Sequence, residues 1–225
     1  MDLSKVINQV IEHPYFLRLK DVVENIEGWH DHEAVYDHLI KTMNIAKKER
    51  AGEFIKDKKA KQMFLELMAT DIHSMKLNDV VVLTALLHDC GKILSFSEGE
   101  SIEEINMKKN NGQTSCPGHE YWGGKIVVPE ILNEIDIPHG VKKFISECVK
   151  VHDTFSKPYF DPKKDWTIQE IIYDIKSRAN GYYEEALFNI YCDCNASPAF
   201  VEGIALIREI FNEPSFYIKR KYLLP

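Results

Sequence analysis

The chain has 225 residues, 44% of them hydrophobic and 28% charged, with a net charge of −7. That is enough to bury one full core and too apolar for a disordered chain. It is also too acidic for extended nucleic-acid binding, which draws on clustered Lys and Arg. No apolar run reaches the length of a membrane span, and the start, MDLSKVINQVIEHPYF, has no basic region ahead of an apolar core. A cytoplasmic protein that does not enter the membrane is expected. The five cysteines, Cys90, Cys116, Cys148, Cys192 and Cys194, are odd in number and scattered, the pattern of reduced thiols rather than of a disulfide framework.

In chain order, Asp2 or Ser4 is placed to cap a first helix through Glu12 that Pro14 ends, and a second helical pattern covers residues 17–26. Trp29, Asp31 and Glu33 open a third helix, in which Val35, Leu39, Met43 and Ala46 recur at helical spacing with His38 at the edge of the stripe. Residues 51–75 read as helical, basic at first and apolar later. Asn78 or Asp79 is placed to cap the next helix. Residues 93–118 form a polar segment rich in Gly, Ser and Asn, of the length expected of a functional loop; its Lys108 and Lys109 are either phosphate contacts or solvated lysines.

Gly118 and His119 then start a helix, and Pro138 begins another, whose apolar face of Val141, Phe144, Ile145, Cys148 and Val149 leads to His152 and Asp153. Helical patterns over residues 166–176, 182–195 and 198–211 follow, the second placing Asp193 on one face with Ala186 and Ile190. A basic tail, Lys219 to Lys221, closes the chain. With no βαβ alternation, no evident strand and no repeat, the expected class is all-α: one domain over residues 1–225, its core about 30–200.

The pattern centres on VVVLTALLHDCGK, residues 80–92. This apolar run delivers His88 and Asp89 into the interior, where an imidazole beside a carboxylate costs several kcal/mol unless a cation or hydrogen bonds satisfy them. Gly91 reads as a left-handed helix stop, and Lys92 puts a positive charge just past the pair. His38, His88, Asp89, His119, His152 and Asp193 each sit at a helix end or on an apolar helical face. Four imidazoles and two carboxylates suffice for two divalent cations. His13, His30, His32, His73 and His139 lack that context and read as surface or capping residues, with His32 in reserve as a ligand.

These motifs resemble the HD-domain metal-dependent phosphohydrolases over residues 35–196. His38 in AVYDHLIKTMNIA is similar to the family's first metal histidine. His88 and Asp89 in LLHDCGK match the motif that names it, and Asp193 in ALFNIYCDCNA matches its final aspartate. His119 in PGHEYWGG and His152 in VKVHD resemble the further histidines of its two-metal members. The likeness is strongest to the HD region of CCA-adding enzymes and poly(A) polymerases, but the nucleotidyltransferase head of those enzymes has no counterpart, nor is there an HD-GYP signature.

The resemblance implies a helical fold with a metal site in a core cleft, and hydrolysis of phosphomonoesters or phosphodiesters of a small nucleotide-like substrate. The divalent ions it implies, two in number, are any of Mn, Fe, Ni, Co, Zn or Mg. Asp89 is expected to bridge them, because a carboxylate can serve two cations while a neutral imidazole serves one. Lys92 is expected either to neutralise a phosphoryl oxygen or to complement the helix dipole. Glu120 and Asp153 are candidates for orienting a neighbouring histidine or accepting a proton. The competing expectations are a non-catalytic metal- or nucleotide-binding module and a di-iron oxygenase, which shares such a ligand set. Oligomeric state is left open.

Overall fold

The computed structural model describes residues 2–23, 33–96, 118–155, 159, 165–197 and 201–217. Trp29, His30, Asp31, His32, Lys108, Lys109, Cys116 and the basic tail lie outside them, so the readings made at those positions do too. The fold is all-α around a single contiguous hydrophobic core.

Helix α1 (Leu3–Glu12) starts where the Asp2 carboxylate accepts the Ser4 N–H. Pro14 opens α2 (Pro14–Arg18) as well as closing α1, because a proline at the first helical position loses no bond the helix needs. The His13 ring caps α2 by accepting the Tyr15 N–H. The helical pattern expected over 17–26 is corrected over its described part, 17–23. A 3-10 turn (Leu19–Asp21) follows α2, and Val23 pairs with Ala34 in an isolated bridge.

Next come α3 (Val35–Glu49) and α4 (Lys58–Met68), the latter capped by Asp57 accepting the Ala60 N–H. The continuous helix expected over 51–75 is also corrected. A turn at Gly52 precedes α4, and a two-stranded hairpin, β1 (Asp71–Ile72) with β2 (Met75–Lys76), follows it. His73 and Ser74 at its tip both have positive φ, a conformation that periodicity does not report.

Helix α5 (Leu77–Leu87) has no side-chain cap. Asp79 in its first turn instead receives the Arg50 guanidinium at 2.6 Å. Every residue from Val80 to Leu87 is buried, so the helix is apolar all round and forms the centre of the bundle. Arg50, just past the end of α3, meets the start of α5, while His38 near the start of α3 lies beside His88 at the end of α5; the two helices therefore run antiparallel.

A 3-10 segment (Cys90–Phe96) follows the HD pair. Beyond residue 117, α6 (His119–Trp122) passes through a π-helical turn (Gly123–Val127) into α7 (Val128–Asn133). Helices α8 (His139–Lys150), α9 (Ile168–Arg178, opened by a Thr167/Glu170 capping box), α10 (Tyr183–Ala196) and α11 (Val201–Phe211) complete the described bundle. α3, α8 and α10 pack on α5, so each element carrying a predicted ligand touches or adjoins the central helix. Among the described residues no helix is long and apolar enough to cross a membrane. The described cysteines are all free thiols and buried, as small apolar residues are.

Candidate metal centre

The structure brings all six predicted ligands together. The His88 ring is fixed by its own helix: Nδ1–H donates to the Ala85 carbonyl at 2.9 Å, leaving Nε2 to face inward. His152 repeats the device at the end of α8, donating from Nδ1 to the Val149 carbonyl at 2.7 Å. Such bonds set the tautomer of a metal-binding histidine and aim its second nitrogen. His38 Nε2 lies 2.7 Å from Asp193 Oδ1, and His119 Nε2 lies 2.8 Å from Asp89 Oδ1. All four imidazoles thus turn Nε2 towards the two carboxylates.

The two oxygens of Asp89 face different neighbours. Oδ1 meets His119 and, at 3.4 Å, His152 Nε2. Oδ2 meets His88 Nε2 at 3.4 Å and the Lys92 ammonium at 2.7 Å. Ligand-capable atoms of His38, His88 and Asp89 form one close group, and those of Asp89, His119 and His152 form another. Asp193 Oδ1 adjoins the first, 3.8 Å from His88 Nε2.

Convergence of imidazole nitrogens and carboxylate oxygens on one spot is what ligand atoms aimed at a common cation show. His88 Nε2 is buried, 3.4 Å from Asp89 Oδ2 and 3.8 Å from Asp193 Oδ1, distances too long for good hydrogen bonds and short enough for a shared cation. His119 and His152 bring their Nε2 atoms within 3.3 Å of each other, a contact that one proton or a cation must relieve. Buried His and Asp groups here are therefore able to hold a metal ion.

The electrostatics point the same way. Burial alone would lower the His88 pKa, yet the charges of Asp89 and Asp193 outweigh it and raise it to about 10. His119 is likewise raised, the Asp89 carboxylate overcoming burial and the opposing charge of Lys92. Burial pushes Asp89 and Asp193 up, but the cations around them win. Lys92, His88 and His119 hold Asp89, and His38 and His88 hold Asp193, well below the usual carboxylate range. Without a metal the cluster recruits protons onto imidazoles, which is the behaviour of a site built for positive charge.

Lys92 is buried, with its ammonium on the Asp89 carboxylate. Glu120 lies with its carboxylate 3.4 Å from His119 Nδ1, the geometry of a group that orients that ring. Asp153 is exposed at the rim. Partial loss of solvent raises its pKa, against His152 and His119 and with help from Glu120 and Asp89.

Gly91 is not left-handed, and its role is corrected. A Cβ there would lie 2.0 Å from the His119 carbonyl oxygen and 2.7 Å from Gly123 Cα, so glycine is needed for backbone to touch backbone. That contact joins the HD turn to α6 and sets the reach of His119. One residue escaped the sequence reading: Asn189, buried one turn before Asp193 on the stripe that Ala186 and Ile190 mark out. Its spacing from Asp193 was the available signal. A comparison with known proteins finds no family model and no curated protein that matches this chain.

Proposed function

We propose that the chain is an HD-type metal-dependent phosphohydrolase with two divalent cations, cleaving a phosphomonoester or phosphodiester of a nucleotide-like substrate. The observation that carries this reading is the division of Asp89, one oxygen towards His119 and His152 and the other towards His88, in a cluster of four imidazoles and two carboxylates. His38, His88, Asp89 and Asp193 would hold one cation and Asp89, His119 and His152 the other. When bound, such cations supply a water of lowered pKa as nucleophile and neutralise charge building on phosphoryl oxygens.

The chain's own residues do the rest. The helix carbonyls of Ala85 and Val149 lock the His88 and His152 rings, and Glu120 steadies His119. Lys92 balances Asp89 in the resting site and can exchange that carboxylate for a substrate oxygen. Asp153, beside His152 and exposed, would exchange a proton with a departing group. Buried apolar walls from α5 exclude bulk water behind the site.

The test is hydrolysis of an aryl phosphate and a bis-aryl phosphate by purified protein with Mn²⁺, followed through the released phenolate. Activity is expected, and its abolition in Asp89→Ala. Turnover that survives Asp89→Ala would sink the mechanism.

A further inference from the structure

Asp193 shares its helix face with residues four positions away, because side chains at i and i−4 lie one above the other. The residue one turn before it is Asn189, 1% exposed in the middle of α10. A carboxamide can donate twice and accept twice. Here both Nδ2 and Oδ1 are buried and make no hydrogen bond among the described residues. Among the described residues the neighbouring helices supply no hydrogen-bond partner. Thr42 on α3 donates to the His38 carbonyl at 3.0 Å, and Thr84 on α5 donates to the Val80 carbonyl at 3.0 Å.

An amide buried idle at both ends is worse for folding than leucine of similar volume, so its presence calls for a job. One turn further along the same helix, Asp193 Oδ1 stands 2.7 Å from His38 Nε2 and 3.8 Å from His88 Nε2, within the candidate metal centre. Helical side chains lean towards the N-terminus of their helix, which carries the Asp193 carboxylate back over the turn that holds Asn189.

We infer that Asn189 is a positioning residue of the metal centre: through one water molecule its carboxamide hydrogen-bonds the Asp193 carboxylate and holds it in the orientation that ligation needs. Nδ2–H donates to the water, and the water donates to the carboxylate. Partners of this kind steady a ligating carboxylate and tune its basicity. The inference rests on the metal-binding reading of the preceding section but names a residue outside the ligand set.

The experiment compares wild type with Asn189→Leu, loading each metal-free protein with Co²⁺ and reading the visible absorption spectrum and calorimetric affinity alongside thermal melting. The variant's metal-free melting temperature is expected to equal or exceed that of wild type, since an unsatisfied amide has been removed. Its Co²⁺ affinity is expected to fall about 10- to 100-fold, with shifted absorption bands. Unchanged affinity and spectrum with a raised melting temperature overturn the inference, because the amide would then be a tolerated burial and nothing more. If the leucine does not fold, Asn189→Ala carries the same readouts: loss of affinity supports the assignment and unchanged affinity overturns it. A wild type that takes up no Co²⁺ overturns the metal reading and this inference together, whereas equal uptake by wild type and variant overturns only the role of Asn189.

Discussion

Substituting Gly91→Ala tests whether the backbone contact beside the HD pair sets the second half of the metal centre. The added methyl would stand 2.0 Å from the His119 carbonyl oxygen and 2.7 Å from Gly123 Cα and N, all backbone atoms that cannot swing aside. An ordinary carbon-to-oxygen contact is about 3.3 Å, so α6 must retreat from the HD turn by roughly 1 Å or more. His119 rides on the first residue of α6, and its Nε2 is 2.8 Å from Asp89 Oδ1. A retreat of that size exceeds the few tenths of an ångström that metal ligation tolerates. Overpacking should lower stability by about 1–3 kcal/mol.

If two cations bind as proposed, the larger effect should be selective: tight Mn²⁺ binding at the His119–His152 side is lost while the His38–His88–Asp193 side keeps its geometry. Calorimetric titration with Mn²⁺ should show roughly half the wild-type stoichiometry. Gly181→Ala is the control. It has a positive φ of 85° but open space around its Cβ, so it should cost about 1 kcal/mol of backbone strain and leave metal binding intact. A folded Gly91→Ala protein with wild-type stoichiometry and melting temperature would refute the reasoning.

Two further outcomes are expected. In chelator, stability should fall as pH rises from about 6.5, the unfolded value, through about 10, the folded pKa of His88. A group whose pKa is raised on folding stabilises below its unfolded pKa and loses that contribution above its folded one. Asp89 and Asp193, depressed on folding, contribute above about pH 4 and lose that contribution in acid. Bound metal, which takes neutral imidazole, should flatten the alkaline loss, and identical melting curves with and without chelator across that range would contradict this. Lys92→Met removes the cation 2.7 Å from a buried carboxylate and should destabilise the metal-free protein by about 3–5 kcal/mol. Added Mn²⁺ should recover more of that loss than it adds to wild type, and an equal metal-induced rise in melting temperature in both proteins would refute it.

Much of the site was legible in the residues alone. His88 and Asp89 follow an apolar run that has no reason to end in charge, and His38, His119, His152 and Asp193 share that incongruity at helix ends and on apolar faces. Burial of ionisable groups leaves this mark in one dimension because hydrophobic periodicity is local. The all-α class follows from the same periodicity, and the starts at Asp2 and His119 follow from chain chemistry.

Tertiary structure decided what depends on contact between distant segments. Residues 51–75 broke into turn, helix and hairpin, since Gly52 and the positive φ at His73 and Ser74 are turn features that leave the apolar spacing unaltered. Asn78 and Asp79 did not cap α5; Arg50, just past the end of the antiparallel α3, claimed Asp79 instead. Gly91 is a glycine for a neighbour 28 positions away rather than for its own dihedral angles. Which oxygen of Asp89 faces which histidine, and that the Asn189 carboxamide is buried without a hydrogen bond among the described residues, exist only once α3, α5, α8 and α10 are packed, because hydrogen-bond partners and charge neighbours are set through space and not along the chain.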